Sequence, residues 1–128
     1  MSTWDKLESN APSNAYRKIV KKYIQDPLPK IYQLPYSFYD HDEIRKYLID
    51  AGFENISIDS IEKMAVCETA REAAVGLSYG GSLYNEIMSR NPAWVEEICT
   101  TLEIELREKY GNAPMRAPMS AVVCSAFK

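Results

Sequence analysis

The sequence predicts an α+β fold in which about five helices pack on a small antiparallel sheet. Residues 40–59 are typical of a capped amphipathic helix that ends at a glycine and is followed at once by an alternating strand. The last ten residues, MSAVVCSAFK, are apolar on both faces, as in a strand that lies inside a covered sheet. With 128 residues there is room for one core, so residues 1–128 are expected to form a single domain.

The first helix is expected over residues 12–23, with Pro12 in its first turn and a stop at Pro27. Residues 26–36, DPLPKIYQLPY, contain three prolines among apolar residues. This composition predicts an extended segment that lies on the core.

The second helix is expected to begin at Asp40, because Glu43 stands three residues later in a capping-box arrangement. Gly52 ends this helix, and a strand follows over residues 55–66, where Ile56 and Ile58 alternate with polar residues. The helix should bury one face, formed by Ile44, Tyr47, Leu48 and Ala51.

Three more helices precede the last strand. Thr69 and Glu72 form a second capping-box pattern, which opens an Ala-rich helix through Leu77. A short helix is expected over residues 83–90. A longer one begins after Asn91, a capping residue followed by proline, and ends near Gly111.

Composition argues against several functions. A net charge of -3 and a pI near 5.2 provide no field that would attract nucleic acid or an anionic membrane. No segment approaches the roughly twenty apolar residues that span a bilayer, and the start resembles no leader, so a cytoplasmic protein is expected. The three cysteines are widely spaced in apolar surroundings and His41 is the single histidine, so the sequence predicts buried thiols, no metal site and no Cys–His catalytic pair.

Three segments resemble the C-terminal half of class I S-adenosylmethionine-dependent methyltransferases. They are PYSFYDHDEIRKYLIDAGFENISIDS, TAREAAVGLSYGG and YGNAPMRAPMSAVVCSAFK. Trp4 and the first helix are similar to the part of that family that follows its fifth strand. The resemblance covers nearly the whole chain and implies that the last strand lies between the family's fifth and sixth strands.

The cofactor-binding half of that family has no counterpart in this sequence. The family binds its cofactor with a Gly-rich turn of the E/D-x-G-x-G type after a strand, whereas the pair Gly80-Gly81 follows a helix. The chain is therefore expected to be a truncated or split relative. It should bind no cofactor and have no activity alone, and S-adenosylmethionine would be used only if a partner supplied the missing half.

The last strand is expected to need a neighbour. Only the strand over residues 55–66 is available to pair with it, and an open apolar edge favours association. The neighbour would be the same strand of a second copy, giving a homodimer, or a separate cofactor-binding chain.

Three functional interpretations remain open. The chain is the substrate side of a methyltransferase, a non-catalytic module that binds a hydrophobic small molecule or a protein, or a domain whose only activity is oligomerisation. No catalytic residue is predicted. The first interpretation implies an acceptor pocket formed by aromatic residues, each of which is more often a core residue. The candidates are Tyr36 and Phe38 of the matching PYSFYD motif, together with Tyr16, Tyr79 and Tyr84.

Overall fold

The fold is organised around a long antiparallel ribbon of two strands, β2 (Glu54–Cys67) and β3 (Met115–Phe127). The computed structural model describes all residues from Met1 to Lys128. A short strand, β1 (Ser2–Trp4), pairs with the other edge of β3, so the order across the sheet is β1-β3-β2. The helices are α1 (Ala11–Tyr23), α2 (Lys30–Gln33), α3 (His41–Asp50), α4 (Ala70–Gly80), α5 (Tyr84–Arg90) and α6 (Ala93–Tyr110).

The predicted α+β class is confirmed, with six helices and a three-stranded antiparallel sheet. Strand β3 lies in the middle of the sheet, as its apolar composition predicts. Strand β1 was not predicted, because three residues are too few to show an alternating pattern.

Two separate cores lie on opposite faces of the β2–β3 ribbon. The larger contains 20 buried residues, mainly from α1, α4, α5 and α6, with Met115 and Ala117 of β3. The smaller consists of Ile44 of α3 with Val122 and Cys124 of β3. Odd-numbered and even-numbered residues of a strand point to opposite faces, so β3 contributes one part of its length to each core.

Side-chain caps begin two helices where the sequence predicts them, but neither predicted capping box is complete, because the side chains of Glu43 and Glu72 make no bond back to the cap residue. The carboxylate of Asp40 accepts hydrogen bonds from the backbone N–H groups of Asp42 and Glu43 at 2.9 and 3.0 Å. The hydroxyl of Thr69 accepts one from the N–H of Glu72 at 3.1 Å. At the end of α6, Gly111 adopts a φ of +88°, a left-handed conformation that glycine tolerates best.

The segment over residues 26–36 is helical in part, and the predicted extended conformation is wrong there. It forms α2 and then a 3₁₀ turn, Leu34–Tyr36. Pro29 lies just before α2, and Pro35 lies in the first turn of the 3₁₀ helix. At both positions a backbone N–H would have no partner within the helix, so proline, which lacks this group, is tolerated. Tyr32 anchors the segment, because its ring is buried and its hydroxyl donates to the carbonyl of Ser13 at 2.7 Å.

Three burial predictions also need correction. On the face of α3 that was predicted to be buried, Tyr47 is 56% exposed and Ala51 is exposed as well, because only Ile44 is fully buried against the small core. Cys67 is half-buried at the end of β2, whereas Cys99 and Cys124 are buried as predicted.

The edge of β3 that was expected to be open is covered over residues 120–124. Met1 and Cys124 exchange two hydrogen bonds of 2.8 and 2.9 Å, and β1 pairs with the residues between. The side-chain amide of Asn10 pairs with Ser120 as the backbone of a neighbouring strand would. The amide oxygen accepts from the N–H of Ser120 at 3.1 Å, and the amide nitrogen donates to the carbonyl of Ser120 at 3.2 Å. Two residues further along this edge, Pro118 has no N–H to pair.

Candidate functional site

An open cleft of about 310 Å³ lies between the sheet and the start of α4. Its lining is mainly apolar, a composition typical of small-molecule sites. The lining residues come from β1, the start of α1, the 3₁₀ turn before α3, both long strands and α4.

The floor of the cleft is one face of the sheet. The register pairs Cys67 with Met115 and Lys63 with Met119, so both methionines point to the same face as Cys67 and Ala65. Trp4 of β1 pairs with Ala121 and therefore joins that face. The floor consequently combines an indole ring, two thioethers and a thiol, which are polarisable groups that suit contact with an aromatic ring.

Helix α4 forms the opposite wall with Glu72, Ala73, Gly76 and Leu77, a spacing that places them on one helical face. Small residues at two of these positions leave the space open. A Cβ added at Gly76 would meet no heavy atom within 4 Å. Glu72 is the one charged residue in the lining.

Tyr36 closes one end of the cleft and is held in place. Its hydroxyl donates to the hydroxyl of Ser13 at 3.0 Å, and its ring lies 6.5 Å from that of Trp4 and 6.4 Å from that of Tyr32. Trp4 remains 40% exposed, so the cleft is open to solvent on the side of β1.

Asn10 lines the cleft but has no free N–H group to offer a ligand. Its two amide N–H groups are shared among the carbonyls of Asp5, Lys6 and Ser120, and its oxygen accepts from the N–H of Ser120. Polar recognition in the cleft is therefore left mainly to Glu72 and to the hydroxyls of Ser13 and Tyr36.

The structure brings one of the five predicted aromatic residues to the cleft, namely Tyr36. Phe38 packs against the small core on the opposite side of the sheet, with its ring 5.8 Å from that of Tyr47. Tyr16 lies in the large core at 1% exposure, and its hydroxyl has no hydrogen-bond partner. Burial, together with the neighbouring Cys99 thiol, raises the pKa of Tyr16 to about 12.

Tyr79 and Tyr84 form a pair away from the cleft, with ring centroids 6.0 Å apart. Tyr79 is 42% exposed and directly precedes the pair Gly80-Gly81. The hydroxyl of Tyr79 donates a short hydrogen bond to the carboxylate of Glu96. The same carboxylate accepts a hydrogen bond from the guanidinium of Arg71 at 2.9 Å. The bond between Tyr79 and Glu96 raises the pKa of Tyr79, and with Arg71 it lowers the pKa of Glu96.

Sequence reasoning missed Trp4, Gly76 and the two methionines as lining residues. Met115 and Met119 are separated by an even number of positions on one strand, which is the signal that could have placed them on one face. Gly76 interrupts an Ala-rich helix, where a glycine often marks a packing or functional need.

No cluster of three or more His, Cys, Asp or Glu residues is arranged to hold a metal ion. None of the helices is both long enough and apolar enough to cross a bilayer. No protein-family model matches the chain, and a search of curated proteins found no match either.

Proposed function

We propose that this chain binds a small, mainly apolar molecule in the cleft as the acceptor-side part of an S-adenosylmethionine-dependent methyltransferase, with the cofactor site on a separate chain. The observation that carries the proposal is the cleft itself, with Trp4 and Tyr36 at one end and Met115 and Met119 in its floor. A planar ring between these groups would bury apolar surface on both sides, which is the main source of affinity in such sites.

The position of β1 supports the methyltransferase part of the proposal. The resemblance places the last strand between the family's fifth and sixth strands, and β3 lies between β1 and β2. In the proposed assembly β1 would occupy the position of the fifth strand, so Trp4 would belong to that strand and not to the part after it. A cofactor-binding partner would add its own strand at the outer edge of β1, where backbone groups are free to pair.

In this assembly the chain would act by positioning. The cleft would hold the acceptor with its nucleophilic atom directed at the methyl group and would exclude water from one side of the acceptor. None of the lining residues is assigned a catalytic role. The cytoplasm is the compartment that suits the proposal, because three free thiols persist best in a reducing environment.

Binding in the cleft can be tested with the five methionines as reporters. In protein labelled with ¹³C at the methionine methyl groups, we expect 2-naphthylmethanol to shift the signals of Met115 and Met119. The signals of Met1, Met64 and Met88, which do not line the cleft, should stay in place.

The matched control is Gly76→Leu, which fills the cleft from the α4 wall without contacting a neighbour at Cβ. This variant should fold and give no shift on addition of 2-naphthylmethanol. Shifts that are unchanged in Gly76→Leu, or no shift of Met115 and Met119 in the unmodified protein, would overturn the proposal that the cleft is the binding site.

The methyltransferase part has its own test. S-adenosylmethionine should give no binding heat with this chain alone and should bind once a partner with the Gly-rich strand-turn-helix is present. Binding of the cofactor by the isolated chain would refute the proposed division between two chains.

A second copy is the alternative occupant of the sheet edge, giving the homodimer that was expected through the last strand. Because β1 already pairs with residues 121–123 of β3, such a dimer would have to use the outer edge of β1 or displace it. Light scattering from micromolar to submicromolar concentration tests this alternative, since a monomer at every concentration would exclude the homodimer.

A further inference from the structure

We infer that the ligand of the cleft carries a protonated amine, which pairs with Glu72 while its aromatic ring lies between Trp4 and the apolar walls. This inference rests on the proposed binding role of the cleft and specifies the chemical class of the ligand. It depends on three observations: the charge of the lining, the free state of Glu72, and the polar groups that remain available.

The lining has a charge of one sign only. Of its 13 residues Glu72 is the one that is charged, and none is Lys, Arg or His. Lys63 lies opposite Met119 on the same face of the sheet but outside the lining. Within the lining an anionic ligand would meet only the carboxylate of Glu72, whereas a cation would be attracted. Glu72 is exposed, so water screens this attraction and its strength is that of a surface ion pair.

The carboxylate of Glu72 is free, although arginine is the preceding residue. Arg71 points away towards α6, where it pairs with Glu96 at 2.9 Å and Glu103 at 3.4 Å. Glu72 itself takes part in no ion pair, and its side chain makes no hydrogen bond, so its charge is available to a ligand.

A hydroxyl donor also remains available in the cleft. Ser13 accepts from Tyr36, so its own hydroxyl proton remains free to donate to an acceptor atom on the ligand.

The amine would orient the ligand and would not be the methylated atom, because a protonated amine has no lone pair with which to attack. A methyl acceptor held in this way would carry its nucleophile at another position on the ring system. The proposed ligand is therefore a bifunctional aromatic amine.

Three probes with the same ring separate charge from shape: 2-naphthylmethylamine, 2-naphthylmethanol and 2-naphthoate. Titrations followed by the Met115 and Met119 methyl signals should rank them amine, alcohol, acid. We expect the amine to bind about two- to fivefold more tightly than the alcohol, as for an exposed ion pair. Added salt should reduce that ratio.

The variant Glu72→Gln keeps the shape of the side chain and removes its charge. It should bind the alcohol as the unmodified protein does and should bring the amine-to-alcohol ratio close to one. The matched control is Glu68→Gln, which changes the net charge equally at an exposed residue outside the lining and should leave the ratio unchanged.

The outcomes separate this inference from the proposed function. If none of the probes shifts Met115 or Met119, the cleft is not a binding site and both proposals fall. If the probes bind with equal affinity, or if the preference for the amine survives in Glu72→Gln, the inference alone is refuted and the cleft remains a binding site.

Discussion

Replacing Asn10 by alanine should destabilise the protein by about 2 kcal/mol, because this amide substitutes for a missing strand at the edge of β3. Asn10 is 4% exposed, and its four hydrogen bonds join the start of α1 to Ser120 and to the turn after β1. The variant would leave the N–H of Ser120 unpaired, while the carbonyl of Ser120 would keep the bond it accepts from the N–H of Asp5 at 3.1 Å.

The magnitude follows from one buried donor left without a partner. Such a group costs about 1–3 kcal/mol. Asn10 lines the cleft, so a water molecule can replace part of its amide, and the loss should fall in the middle of that range. Two kcal/mol is a large share of the roughly 5–15 kcal/mol that stabilises a domain.

Asn14→Ala is the matched control, since it makes the same substitution one helical turn later. The side-chain oxygen of Asn14 is buried without a partner, so its removal leaves no new unpaired group and introduces a better helix former. Urea unfolding followed by circular dichroism should place the Asn10→Ala midpoint well below that of Asn14→Ala, with equal slopes. A difference under about 0.5 kcal/mol in the free energy of unfolding would refute the role assigned to Asn10.

Four other substitutions test the packing. Gly76→Ala should raise the free energy of unfolding by about 0.5–1 kcal/mol, since helical glycine is unfavourable and the added Cβ meets nothing, and calorimetry would detect the higher Tm. Gly111→Ala should lower it by about 1–3 kcal/mol, because φ is +88° there and the new Cβ would lie 3.1 Å from the carbonyl of Pro114. Tyr32→Phe should lose about 1 kcal/mol in urea unfolding with the bond to Ser13, whereas Tyr16→Phe, which removes an unpartnered hydroxyl, should not be destabilising at neutral pH. Because the pKa of Tyr16 is raised in the folded state, the unfolded chain releases this proton first as pH rises above about 10. The free energy of unfolding therefore falls with pH up to about pH 12. In unfolding titrations, Tyr16→Phe should reduce that fall by at most about 1.4 kcal/mol per pH unit.

The helix ends could be predicted from the sequence because their signals are local. Asp40, Thr69 and Gly111 each act within four residues of their own position, and all three do in the structure what their residue types predict. Strand β1 and helix α2 were not predicted, because three or four residues are too few to show a periodicity. Both also depend on partners that are distant in sequence: β1 pairs with Val122, and the Tyr32 hydroxyl of α2 bonds to Ser13.

The cleft could be predicted only in part, for the same physical reason. Tyr36 was identified through its motif, but the floor is assembled from β1, β2 and β3, and only the register of the sheet brings Trp4 beside Met119. Phe38 occupies the same motif two residues later, yet it packs on the other side of the sheet against α3. A motif places residues in sequence, whereas the twist and pairing of the strands decide which side each one faces.

The two cores on opposite faces of the ribbon imply that backbone amides exchange hydrogen at different rates in the helices that pack on each face. Helix α3 is held by a cluster of 3 buried residues, whereas α1, α4 and α6 share a cluster of 20. Amides of α3 should therefore exchange through a local opening of low free energy, and amides of α4 and α6 only through larger opening. A molecule bound in the cleft would slow exchange in α4 and leave α3 unchanged, which makes α3 an internal reference within the same chain for any binding measured by exchange.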